Sequence, residues 1–299
     1  MFFFSLTIVV GQLINPQWFF QGVENFKWIS VINVTSKVIY ILLVILFIKE
    51  KTDYVFANLF FGVGAIIGNG IALVWLLNKY SFSLNGFSLK DATNIIKDEF
   101  SFSVSQFFLS IYQFFPIIMI SYIGGDFMAG QFRVIDQILT IFKTYLNMFF
   151  YFVYSNVCYE LNLNFNKGIK VWKQYNGLNF VLLFSVMAVF FVFSELILTY
   201  FKIDSERIPL MSTYFRIGLL VPLLVSISQP LRQLMFAFNE NKIYIRITVI
   251  ATLLNFILLF ILTNNMGLKG AFISIIVIEF FIIVLYSKII MNQLRGKTV

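Results

Sequence analysis

The chain has 299 residues, 60% of them hydrophobic and only 12% charged, with a mean hydropathy of +0.87. A soluble domain carries about 25% charged residues, and this composition in water would expose large aggregating patches, so a water-soluble fold is excluded. The net charge is +8, but the basic residues fall in short breaks between apolar runs, which is a topology signal rather than a nucleic-acid footprint. There is no histidine, and Cys158 is the one cysteine. The commonest general base, the commonest transition-metal ligand, an internal disulfide and a Cys-based metal site are therefore all missing, and neither enzyme activity, cofactor, metal nor nucleic-acid partner is expected.

Residues 1–10 are apolar and have no Lys or Arg before them. They lack the basic region and small-residue cleavage site of a signal peptide, so they open a membrane span. A span needs about 20 mostly apolar residues, and its backbone polar groups must be satisfied within the segment, so each span is a helix. Nine candidates follow in order, at 2–20, 28–48, 54–77, 101–123, 127–154, 175–200, 209–236, 243–263 and 268–290. The expected fold is an all-α polytopic membrane protein with about nine transmembrane helices. The longest polar break, 78–100, carries Lys79, Lys90, Asp91, Lys97, Asp98 and Glu99. It reads as a cytoplasmic linker between a three-helix part, 1–77, and a six-helix part, 101–299. The next longest break is 159–174.

Lys and Arg placement gives the orientation. One set of loops holds thirteen, the opposite set holds Lys49, Lys51, Lys202, Arg207 and Lys269, and Lys37, Arg133, Lys143 and Arg216 lie inside spans, which accounts for all 22. The excess puts the C-terminus in the cytoplasm. Residues 24–46 also align with 240–262 at an offset of 216, pairing Glu24-Asn25 with Glu240-Asn241 and Trp28 with Tyr244. Repeated halves with a site between them are common in transporters. An equal first half would need six spans where three are present, which reads as a chain lacking its first three.

Charges near the bilayer centre are costly and usually face a partner or an aqueous cavity. In the fifth span Arg133, Asp136, Gln137, Thr140, Lys143, Thr144 and Asn147 recur every three or four residues, so they share one helix face. The opposite face holds Ile138, Leu139, Ile141, Phe142 and Leu146. Two readings stand: a cavity wall, or a local Arg133–Asp136 pair with Lys143 reaching for the interface. The fourth span places Ser103, Gln106, Ser110 and Gln113 at the same spacing, as cavity contacts or as hydrogen bonds between helices. Lys37 sits too deep in the second span to reach an interface easily, Arg216 lies about two turns into the seventh, and Arg232 follows Pro230 as either a cavity residue or a topology signal. Glu279 is a lone carboxylate in the last span.

The block Asn15-Pro16-Gln17-Trp18-Phe19-Phe20-Gln21-Gly22-Val23-Glu24 resembles the signature of Wzx-type O-antigen and polysaccharide flippases, within the multidrug/oligosaccharidyl-lipid/polysaccharide exporter superfamily. Two weaker similarities are the stretch from Gln233 to Lys242 and the Gly267-Leu268-Lys269-Gly270-Ala271 opening of the last span. The resemblance implies the C-terminal part of a twelve-helix, two-lobe transporter. It implies a flippase that moves undecaprenyl-diphosphate-linked oligosaccharide, an O-antigen or capsule repeat unit, across the bacterial inner membrane by alternating access. Expected partners are that substrate, membrane lipids, a coupling ion (H+ or Na+), and polysaccharide polymerase and chain-length proteins. The candidate substrate contacts are Lys37, Arg133, Asp136, Gln137, Lys143, Arg216, Ser103, Gln106 and Gln113, with Asp136 and Glu279 as candidates for ion coupling. The alternatives are a multidrug-exporter-like transporter, a membrane polysaccharide polymerase or ligase, and a non-functional truncated flippase. Deep charges that are mostly basic disfavour an exporter of organic cations. The lack of histidine and of a large external loop disfavours the enzymes.

Overall fold

A computed structural model describes residues 2–23, 25–80, 88–201 and 203–297. Glu24, which closes the signature block, Lys202 of the loop count and 81–87 of the expected linker lie outside the described residues. The described residues are almost entirely helical, and they divide into two compact units, Met1–Asp91 and Ala92–Val299.

The first unit contains α1 (Phe2–Leu13), α2 (Gln17–Gly22), α3 (Phe26–Phe47) and α4 (Ala57–Lys79). The first expected span is corrected here: 2–20 is not one helix but α1 and α2, parted around Pro16. Proline drives the residue before it out of the helical region, and the Asn15 side chain closes the turn by accepting from the Gln17 amide at 3.0 Å. α4 packs between α1 and α3 through glycines. A Cβ on Gly64 would stand 2.6 Å from the Ser36 carbonyl of α3, and one on Gly11 would stand 2.7 Å from Ala65 of α4. Close backbone approach of this kind holds helices together where lipid supplies no hydrophobic drive. At one end, Phe20 is buried beside Trp28 and Trp75, whose rings stand 4.5 Å apart, while Trp18 of the same block is exposed.

The second unit runs through α5 (Leu89–Leu163), α6 (Phe165–Val192), α7 (Ser194–Tyr200), α8 (Ile208–Gly218), α9 (Leu220–Ala237) and α10 (Asn241–Lys297). A straight α5 of 75 residues would be about 110 Å long, far beyond a bilayer. It is a hairpin. Gly125 takes φ 70° and ψ 179°, backbone that only glycine adopts freely, and the chain reverses there. α10 does the same at Gly267, with φ 58° and ψ −140°, and brings Tyr244 and Tyr286 within 6.4 Å of each other. Counting each arm, eight apolar crossings stand among the described residues, and the 12-residue α1 is a ninth, shorter apolar helix.

Two apolar helical runs are interrupted. α6 gives way to α7 at Phe193, and α8 to α9 at Leu219, three residues before Pro222, which offers no amide to the Gly218 carbonyl. The polar stretch 159–174 is not a loop either. α5 and α6 extend through it with a break at Asn164, whose side chain caps α6 by accepting from the Lys167 amide. The core of this unit gathers Ile135, Leu139, Leu198, Phe215, Leu259 and Phe272, while large apolar residues such as Phe107, Phe152 and Val181 cover the outside, as a lipid solvent permits.

Candidate functional site

The second arm of α5 turns its apolar side inward and its polar side out. Ile138, Leu139, Phe142 and Leu146 are buried, while Arg133, Gln137, Thr140 and Thr144 are exposed. Ile141 departs from the expected apolar face and is exposed. Thr140 and Thr144 donate to the carbonyls one turn earlier, so their hydroxyls are satisfied within the helix. Asp136 is held between two cations, with Lys143 Nζ at 3.0 Å and Arg133 at 3.5 Å. The Arg133–Asp136 pair read as an alternative to a cavity wall is present, and Lys143 turns toward the same carboxylate.

Four helices converge beside this triad. Tyr112 and Gln113 come from the first arm of α5, Lys143 and Asn147 from its second arm, Ser228, Gln229 and Arg232 from α9, and Glu279 from the second arm of α10. They line a cavity of about 130 Å³. In a straight α5, Tyr112 and Asn147 would be about 50 Å apart, so the turn at Gly125 creates this site. An adjoining compartment of about 70 Å³ shares Tyr112, Ser228, Gln229, Arg232 and Glu279 and adds Tyr244, Thr248, Thr252 and Tyr286.

Glu279 is buried and accepts from the Tyr112 hydroxyl and the Ser228 hydroxyl, each at 3.1 Å. Gln229 donates to Asn147 at 2.7 Å, and its own amide oxygen is buried without a partner. Arg232 lies over the Phe150 ring at 4.5 Å, and its buried Nε has no hydrogen-bond partner. Such a guanidinium can take an anionic oxygen without first giving up a carboxylate.

The other expected residues are placed differently. Lys37 is exposed at the middle of α3, in the first unit. Ser103 is exposed, Gln106 is half-buried and accepts at its carbonyl from Ser110, and Gln113 lines the cavity. Arg216 donates from Nε to Ser194 at 2.9 Å and to the Phe191 carbonyl at 3.3 Å, where it ties α8 to the break between α6 and α7. Tyr112 and Ser228 were absent from the sequence candidates. Tyr112 adjoins Gln113 and Ser228 lies two residues before Pro230, yet nothing local marks either as a partner of Glu279.

With this geometry in hand, comparison with known proteins gives the class. The fold resembles that of a multidrug resistance MATE family transporter of the MOP superfamily in an outward-facing conformation, with a TM-score of 0.69 and 14% identity, covering 91% of this chain and 63% of that one. The protein is thus an all-α polytopic membrane protein with the multidrug/oligosaccharidyl-lipid/polysaccharide exporter fold. Residues 1–154 match the family described as polysaccharide biosynthesis protein. Two curated relatives, each described as a putative O-antigen transporter, are similar over nearly the whole chain. The one from Escherichia coli (strain K12) is 27% identical over 291 residues, covering 95% of this chain and 68% of the relative. The one from Shigella dysenteriae is 23% identical over 289 residues, covering 96% and 72%. The chain therefore spans about two thirds of the length of these proteins. It belongs to the polysaccharide biosynthesis protein family.

Proposed function

We propose that this chain serves to flip an undecaprenyl-diphosphate-linked oligosaccharide across the bacterial inner membrane by alternating access, with its C-terminus in the cytoplasm. The observation that carries the reading is Arg232, a guanidinium facing a membrane-embedded cavity with a buried, unpartnered Nε, set beside Lys143. A diphosphate cannot enter hydrocarbon unaided, and fixed cations offset the loss of its hydration. At about 130 Å³ the cavity is well below the few hundred Å³ of a typical ligand pocket, so it suits the diphosphate rather than the sugars. The sugars would meet the exposed side chains of Arg133, Gln137 and Ser103, with the half-buried Gln106 and the cavity-lining Gln113 as further neutral contacts. Lys37 and Arg216 are further candidate contacts.

In this reading 1–77 is a partial N-terminal lobe, 78–100 a cytoplasmic linker and 101–299 a C-terminal lobe. Asp136 or Glu279 is the candidate group through which a proton or sodium ion would couple to transport. Polysaccharide polymerase and chain-length proteins would receive the product. The test is surface polysaccharide in cells whose own flippase is deleted and replaced by this protein. Arg232→Ala and Arg232→Lys should both lower output at unchanged protein level, because lysine cannot reproduce the stacked, forked contact. Full output from Arg232→Ala would remove the cavity from the mechanism.

A further inference from the structure

On the outside of the second unit, α6 and α9 part to leave a groove of about 230 Å³. Trp172, Lys173, Gly177 and Phe180 form one wall, and Ile227 and Leu231 belong to the other. Pro230 is part of the reason the groove exists, since a proline inside α9 weakens the helix one turn earlier, and its carbonyl accepts from the Trp172 indole at 3.0 Å. Gly177 borders the open space of the groove: a Cβ there would meet nothing within 4 Å.

Two features give the groove a polarity. Lys173 is exposed and stands in no ion pair among the described residues, and Lys170 lies one turn before it. From Lys173, α6 runs on to Val192, 19 residues and about 28 Å, which is the thickness of the hydrocarbon layer. Lys173 and Trp172 therefore sit at the headgroup level and Phe180 within the acyl region. An occupant must bring a negative charge for Lys173 and a chain for the apolar floor. A choline lipid has no net charge.

We infer that this groove is a binding site for one anionic glycerophospholipid of the bilayer, phosphatidylglycerol being the simplest. The phosphate meets Lys173, and an acyl chain lies past Gly177 between Phe180 and Ile227. The site is separate from the cavity around Glu279 and does not rest on the transport reading.

The test is native mass spectrometry of the purified protein with phosphatidylglycerol, phosphatidylcholine or a polyprenyl phosphate added in turn. The expected result is one retained phosphatidylglycerol and no retained phosphatidylcholine. Lys173→Gln should weaken retention about fivefold, the effect of one basic residue at a lipid surface. Gly177→Leu fills the groove and should abolish retention, while Gly177→Ala, which leaves it open, should keep it. Equal retention by the unmodified protein and Gly177→Leu would overturn the site. So would equal retention of phosphatidylcholine, or preferential retention of the polyprenyl phosphate, which would assign the groove to a lipid-linked substrate.

Discussion

Replacing Lys143 with methionine keeps an unbranched side chain as far as the Cε position and removes one of the two cations that hold Asp136. The side chains of Lys143 and Asp136 are 33% and 18% exposed, so the pair lies neither in bulk water nor in a dry interior. At an effective dielectric of about 20, the bare attraction across 3.0 Å is about 5–6 kcal/mol. Desolvation and side-chain ordering cancel most of it; exposed pairs keep about 0–1 kcal/mol and hydrogen bonds to charged groups about 1.5–3. The Lys143→Met, Asp136→Asn double-mutant cycle should therefore give a coupling of about 1–2 kcal/mol, read from unfolding in detergent followed by tryptophan fluorescence. The same cycle makes a distinct forecast for substrate binding. Lys143→Met shifts the site by one negative charge, which for an anion about 8 Å away at a dielectric of about 40 costs about 1 kcal/mol, or about fivefold in affinity. Asp136→Asn added to Lys143→Met returns the charge to its starting value, so the double variant should bind the anionic substrate about fivefold more tightly than Lys143→Met alone, a readout that ion coupling through Asp136 does not enter. A coupling below about 0.3 kcal/mol would dismiss the pair as a structural bond. A double variant no better than the single one would dismiss the electrostatic account of the cavity.

Two further predictions concern packing and the polar network. Gly64→Ala forces a Cβ to 2.6 Å from the Ser36 carbonyl, so α3 and α4 must separate; the expected cost is about 1–3 kcal/mol, measurable as a lower unfolding temperature, whereas Gly177→Ala, with open space around it, should not lower it. Gln233→Leu removes the acceptor of Asn176 and the donor to the Phe150 carbonyl, with an expected loss of about 1 kcal/mol in detergent unfolding; an unchanged stability would mean that the α5, α6 and α9 contacts do not depend on this chain of amides.

The helices were legible because a bilayer leaves little choice: a run of apolar residues long enough to cross must satisfy its own backbone. The polar stripe of the fifth span was legible because its residues recur at helical spacing on one stretch of chain. What lay beyond a single stretch was not. Glu279 looked solitary because its two partners, Tyr112 and Ser228, are 167 and 51 residues away, and no local pattern links a tyrosine, a serine and a glutamate across three helices. Arg232 was undecided because a basic residue near a span end has the same sequence appearance whether it faces a cavity or the cytoplasm. Helix ends were misjudged where hydropathy and helicity diverge. Residues 159–174 are polar yet helical, and 2–20 is apolar yet broken, because Asn15-Pro16 dictates a turn whatever the hydropathy.

The reversal at Gly125 also bears on how the chain enters the membrane. On an insertion scale an Arg, Asp or Lys at the centre of a helix costs about 2.5–3.5 kcal/mol. The second arm of α5 carries Arg133, Asp136 and Lys143 within three turns, so the translocon would return it to water if it arrived alone. The first arm is rich in phenylalanine, and a single non-helical residue joins the two. The arms must therefore partition together as one helical hairpin, the apolar arm carrying the charged one into lipid. Lengthening the turn at Gly125 would weaken that partnership during synthesis, even where the finished fold could accommodate the extra residues.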